Sequence, residues 1–323
     1  MPFVPDYTHT PGHHCGSTAI RNLLAFHGAE ISEEMAFGLG AGACFYYVTI
    51  EEASPSRWFS GRTARLEESF AELTGGALAL RTFGQDDGDA WEAARAEVDA
   101  GRPVLLLTDL YHLDHYGSSA HFPGHAVVLA GYDEEVAYLS DTGFEELQAT
   151  RLENLDRARH GEHPAYPLAG HMFGAAAGLS AERLRAAVPA AIERAARAMV
   201  EPEFPGFSGL DAVRRLAAEV GSWPEATEDW KWCARFGYQV IERRGTGGGA
   251  FRLMYSRFLE EVGRAEAPLA AEAAAGWTEL GEALRIASEE DEPEPSTWRE
   301  AERAARQVAA AEERLWAALA HPE

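Results

Sequence analysis

Three residues of types that can form a nucleophilic centre stand at Cys15, His125 and Asp141. A cysteine attacks a carbonyl as its thiolate, and the N–H groups and macrodipole at a helix N-terminus favour that charged form. Cys15 stands at such an end. It follows the turn-forming Thr10-Pro11-Gly12-His13-His14 and precedes Gly16-Ser17-Thr18, after which Ile20, Leu23, Leu24 and His27 fall on one helical stripe closed by Gly28. An imidazole can take the thiol proton when a carboxylate holds the other side of its ring, and His125 and Asp141 are the candidates. Cysteine, histidine, acid is also the chain order of papain-like enzymes. Each residue has a plainer reading: a small buried cysteine, a satisfied core histidine, a turn-forming aspartate before Gly143.

The elements that would position these residues can be read from periodicity. A helix is expected over 15–27 and another over 89–100, the second stopped by Gly101, with Pro103 opening a buried strand at 104–107. Residues 126–132 and 136–141 flank the turn Asp133-Glu134-Glu135 and read as an antiparallel hairpin. A tight turn there pairs residues whose numbers sum to about 267, so residue 125 faces residue 142, give or take about one. His125 and Asp141 then meet across the open end of the hairpin. The fold class is α+β, with a catalytic domain over 1–156, a linker or surface excursion over 157–175, and an all-α domain over 176–323 whose helical patterns are broken by Gly and Pro.

A formal charge of −24, with 52 acids against 28 Lys and Arg, disfavours nucleic acid as a partner and would steer a cationic substrate inward. Three distant cysteines argue against a disulfide framework and for a reducing compartment. The first ten residues carry neither a basic start nor an apolar run, and no segment approaches a bilayer span, so a cytoplasmic protein without membrane contact is expected.

Other constellations compete for attention. His112-x-x-His115, beside His121, has a spacing that zinc can use, but the surrounding residues read as a cleft-side loop with no ordered ligand pattern, and no metal is expected. Asp109 and Tyr111 leave the 104–107 strand toward the cleft, to line a substrate pocket or to satisfy local backbone. The glycine run Gly245-Thr246-Gly247-Gly248-Gly249, with Arg243, Arg244 and Arg252, can be read as a cradle for a pantetheine phosphate or as a flexible turn between helices; it lacks the ending of a nucleotide P-loop.

From Gly12 to Leu24 the sequence resembles the BtrH-type acyltransferase family, named for a butirosin-pathway enzyme that moves an acyl group from a carrier protein to an aminoglycoside amine. The resemblance continues through Phe37-Gly38-Leu39-Gly40-Ala41-Gly42 with Phe45-Tyr46-Tyr47, and through Gly124-His125-Ala126-Val127-Val128 with Gly131-Tyr132-Asp133. In the second half, the glycine run followed by Ala250-Phe251-Arg252, Tyr255 and Phe258-Leu259 is similar to the helical domain often fused to it. The resemblance implies a papain-like fold related to bacteriocin-processing cysteine peptidases, with Cys15, His125 and Asp141 at the triad positions. Papain-like peptidases usually carry a glutamine oxyanion donor where this chain has His9, so the resemblance assigns no side chain to that role, and the Cys15 N–H is a candidate, with help from His9, Thr10 or His13. The implied activity is transfer from an acyl carrier protein or acyl-CoA through a Cys15 acyl-enzyme to a small amine. No cofactor is implied beyond the donor's phosphopantetheine arm, and the helical half offers surface for a homodimer. A cysteine peptidase, amidase or thioester hydrolase uses the same residues, and a catalytically silent scaffold would keep the fold without the chemistry.

Overall fold

The computed structural model describes residues 3–83, 89–161, 163 and 166–321. The chain is α+β and divides into two compact units, one built from residues 1–36 and 64–187, the other from 37–63 and 188–323.

The first unit is organised on a six-stranded antiparallel sheet, in the order Leu78–Arg81, Met172–Ala175, Val104–Asp109, Pro123–Tyr132, Val136–Ser140, Gln148–Arg151. Its central strand Val104–Asp109 is buried along its whole length, as its continuous apolar run requires. Val104, Leu106, Val127, Leu129, Leu139 and Met172 from four strands pack with Ala94 and Val98 of helix Ala90–Asp99 and Leu155 of helix Leu152–Arg159. The expected helices form almost as read. Helix Cys15–Phe26 is capped by His14 and ends at His27, and helix Ala90–Asp99 takes Asp89 as its N-cap, the carboxylate accepting from the N–H groups of Trp91 and Glu92.

The stretch expected as a linker over 157–175 is instead partly structured. It holds the short pair His160–Gly161 and Leu168–Ala169, and Met172–Ala175 enters the main sheet between two strands far from it in sequence. Met172 and Phe173 are buried there, which is why so short a run is held as a strand.

The second unit is helical but not purely so. Strands Ala43–Thr49 and Arg57–Arg62 form an antiparallel hairpin that belongs to it, and residues 37–63 thus lie outside the catalytic half to which the sequence reading assigned them. Aromatic burial explains the membership: Phe45 and Phe59 lie 5.1 and 6.2 Å, centroid to centroid, from Trp277 of helix Ala267–Ala287. No helix among the described residues is long and apolar enough to cross a membrane.

Candidate active site

Cys15 opens its helix on a loop that several side chains hold in place. Buried Glu33 accepts the backbone N–H of His13 at 3.0 Å and of His14 at 2.7 Å, and the hydroxyls of Ser17 and Thr18 at 3.3 and 3.1 Å. The carboxylate thus satisfies the N–H of the N-cap residue His14, one of the donors a helix N-terminus leaves without an intrahelical acceptor, together with the N–H before it and two hydroxyls of the first turn. Gly12 is needed for this approach, since a Cβ there would stand 2.6 Å from Glu33 Oε2 and 2.2 Å from Thr18 Oγ1. The same loop is fastened to the segment that carries Asp141. The Gly12 N–H donates to Thr142 O at 3.2 Å, the His9 Nε2–H donates to Phe144 O at 2.8 Å, and His9 Nδ1 meets Ser140 Oγ at 2.7 Å.

His125 lies in strand Pro123–Tyr132 and Asp141 just past strand Val136–Ser140. The hairpin pairs Val128 with Ser140 and Leu129 with Leu139, and a bulge between Leu129 and Gly131 shifts the register nearer the turn. Continued outward, this ladder sets Asp141 opposite Val127 and diagonal to His125, within reach of an imidazole. His125 Nε2 lies 3.0 Å from both Asp141 oxygens, which leaves Nδ1 as the ring nitrogen that Asp141 does not hold. Cys15 hydrogen-bonds the His125 side chain.

Asp141 has further partners. His115 Nε2 is 2.9 Å from Oδ2, while its Nδ1 meets Thr150 Oγ1 at 3.1 Å. The Tyr116 hydroxyl donates to Oδ1 at 3.2 Å and the Thr142 N–H to the same oxygen at 2.7 Å. Tyr116 also sets its ring edge-on to His125, 5.5 Å between centroids, and Phe144 packs on both Tyr116 and His115. Burial pushes the Asp141 carboxyl up, but the charge and hydrogen bonds of His125 and the hydrogen bond from His115 outweigh it and hold the group well below its usual range. For His125, burial lowers the imidazole, but Asp141 and then Cys15 raise it more, to about 10.

The other residues singled out in the sequence fall elsewhere. His9 is engaged at both ring nitrogens, so it cannot also serve an oxyanion without giving up a contact. His13 is exposed, and its backbone N–H is what the loop uses. Asp109 is buried and accepts the N–H groups of Tyr111 and Phe122 on Oδ1, while Oδ2 meets His121 and His163; half-exposed Tyr111 stacks on His121 at 4.1 Å. His112 and His115 do not converge as a metal pair, because His115 turns to Asp141.

Arg252 has no exposed surface to offer a substrate. It is fully buried in the second unit, bidentate to Glu312 at 2.8 and 3.2 Å, and donates to Gly61 O and Cys44 O. The glycine run is likewise turned inward. Thr246 Oγ1 donates to Ile241 O and accepts the Gly248 N–H, and the N–H groups of Gly249 and Ala250 go to Glu242 and Ile241 O. Gly249 has φ +55°, and a Cβ on it would come within 2.6 Å of Ala274 O, so this run serves close packing of helices rather than a phosphate.

Sequence reasoning missed three positioning residues. Glu33 gives no signal beyond an acid at a helix start, while in the histidine-rich stretch the spacing of His115 points to a metal rather than to Asp141, and Tyr116 looks like part of a loop. Cys44 and Cys233 are buried, and burial pushes the Cys44 thiol up to about 12, so Cys15 is the only partly exposed cysteine of the three.

The fold and site together define an α+β protein in which a cysteine at a helix start shares a hydrogen-bonded chain with a buried histidine and aspartate. Residues 14–142 match the N-terminal domain of butirosin biosynthesis protein H, and residues 153–319 match a domain of unknown function, DUF4872. The chain belongs to this BtrH-type family, with its N-terminal domain followed by its C-terminal one. None of the curated proteins compared with the chain matches it.

Proposed function

We propose that this protein is an acyltransferase of natural-product biosynthesis, with Cys15 as nucleophile, His125 as its acid and base, and Asp141 as the group that orients the imidazole. The observation that carries the proposal is the hydrogen-bonded run from Cys15 through His125 to Asp141, with Cys15 the partly exposed member. Membership in a family named for butirosin biosynthesis supports a biosynthetic role. A papain-like fold is part of the same reading, since the helix-borne cysteine and strand-borne histidine follow that plan.

In the first half-reaction the Cys15 thiolate adds to the carbonyl carbon of a thioester, on the phosphopantetheine arm of an acyl carrier protein or on CoA. The tetrahedral intermediate collapses with cleavage of the donor C–S bond, and imidazolium His125 gives its proton to the departing thiolate. The backbone N–H of Cys15 and the helix N-terminus stabilise the oxyanion. In the second half, a small amine attacks the acyl-Cys15 carbon, neutral His125 takes the amine proton, and Cys15 leaves as thiolate. The net charge of −24 favours a cationic acceptor and requires an acidic carrier protein to find a local basic patch.

The test is to supply an acyl thioester to the parent protein and to Cys15→Ser and follow the acyl group. The parent should form an acyl-enzyme that partitions to added amines over water, and Cys15→Ser should lose transfer by at least ~1000-fold. Partition to water alone would make the protein a thioester hydrolase or amidase, and Cys15→Ser working at the parental rate would leave only a scaffold with the fold of an enzyme.

A further inference from the structure

The histidine-rich stretch gathers a second cluster. Among the described residues, one ligating atom each from Asp109, His121 and His163 lies within 4.8 Å of the other two. Asp109 Oδ2 stands 2.6 Å from His121 Nδ1 and 3.0 Å from His163 Nε2, so both imidazoles aim at one carboxylate oxygen. The geometry points to a mononuclear site for a divalent first-row transition metal, of zinc type, formed by Asp109, His121 and His163.

Four features support this assignment. Two imidazoles and a carboxylate are a donor set that zinc and its neighbours accept, with three protein ligands and an open position for a small ligand. Asp109 is 1% exposed and its Oδ1 is fixed by the N–H groups of Tyr111 at 3.1 Å and Phe122 at 2.8 Å, which turns Oδ2 toward the histidines, as the outer hydrogen bonds of metal sites do. The Tyr111 ring stacks on His121 and limits its rotation. The side chains of His121 and His163 are 51% and 22% exposed, so the cluster opens to solvent on the histidine side.

Ligand atoms around a tetrahedral ion at bond lengths near 2.0–2.1 Å stand roughly 3.3 Å apart, so when two N–H protons give way to a cation the His163 contact must lengthen by about 0.3 Å and the His121 contact by about 0.7 Å. His121, half in solvent, can make that move. The cluster is distinct from the Cys15 chain: its donors are not the His115 and His125 that hold Asp141. Thr108, next to Asp109, pairs with His125 across the sheet and donates its hydroxyl to His125 O at 2.9 Å, so Asp109 and His125 sit on neighbouring strands.

The inference does not depend on acyl transfer, and its test reads metal directly. Full-length protein carrying Cys15→Ser, which removes a competing thiolate, is stripped with a chelator and titrated with Zn2+ by calorimetry and with Co2+ by visible absorption. One equivalent should bind, with Co2+ bands of a low-coordinate nitrogen and oxygen site. His121→Ala and His163→Ala should each weaken binding by more than ~10-fold, as should Asp109→Asn, whereas His112→Ala should leave it unchanged. Circular dichroism checks that each variant folds, and exposed His121 makes its alanine variant the safest probe. Absence of binding by the folded protein, or binding equally tight in His121→Ala and His163→Ala, would overturn the assignment and leave Asp109 as a hydrogen-bonded loop anchor.

Discussion

Asp141 receives His125, His115, the Tyr116 hydroxyl and a backbone N–H, so its charge is shared by more groups than one imidazole needs. The coupling fixes a pH signature. His125 is raised from 6.5 to about 10, so its contribution to stability is complete below its ordinary value and is lost as pH rises through about 10. Asp141 is lowered from 3.8, so its contribution is present above that value and is lost as pH falls through its depressed folded value. The two describe one interaction, and the stability difference between parent and Asp141→Asn should be greatest between about pH 4 and 6.5 and shrink toward pH 10, measured by denaturant titration across pH. In the same variant the burial that lowers His125 is opposed by Cys15 alone, so the alkaline limb of activity should move down from near pH 10. A second variant separates holding from chemistry: His115→Ala should shift that limb less than Asp141→Asn does, because His115 acts through Asp141. The pairing of His125 with Asp141 was legible in the sequence because strand periodicity and a short turn set the register almost unaided. The register beside the site, Val128 with Ser140, falls within one residue of the expected pairing, and the bulge between Leu129 and Gly131, which nothing in the sequence announces, offsets it from the register at the turn.

At the scale of elements, helix Cys15–Phe26 starts where it does because Glu33 closes the loop before it. Glu33→Gln would put an amide donor among two N–H groups and two hydroxyls that now donate to a carboxylate, and should cost about 1–3 kcal/mol of stability. Thermal melting reads that loss, and acyl-enzyme formation should slow with it, since the Cys15 N–H is carried on the same turn. The helix itself was legible from the turn before it, its apolar stripe and its closing glycine, whereas the clamp joins residues about twenty apart by side-chain geometry that no periodicity records. Met172–Ala175 is a similar case. Its place between Leu78–Arg81 and Val104–Asp109 is a non-local pairing, and its four residues are too few to stand out as a strand.

For the whole molecule, the second unit carries its own buried ion pair, and the reading of Arg252 as a ligand for substrate gives way to a structural one. Glu312 accepts Arg252, Trp277 Nε1 and Trp316 Nε1 with no exposure of either charged side chain. Arg252→Met strands that carboxylate and should cost about 3–5 kcal/mol in chemical denaturation, a loss of stability rather than of donor affinity. Composition could not distinguish these roles, because a glycine run beside arginines reads alike whether it wraps a phosphate or packs on a helix. The three cysteines give the most direct measurement of the central claim, which is that His125 and Asp141 activate Cys15. Iodoacetamide alkylation of the folded protein, followed site by site by peptide mass spectrometry from pH 4 to 10, should find Cys15 reacting well below neutral pH while buried Cys44 and Cys233 stay intact. A Cys15 rate that rises only near the ordinary thiol value of about 8.5, or that is unchanged in His125→Ala, would contradict it.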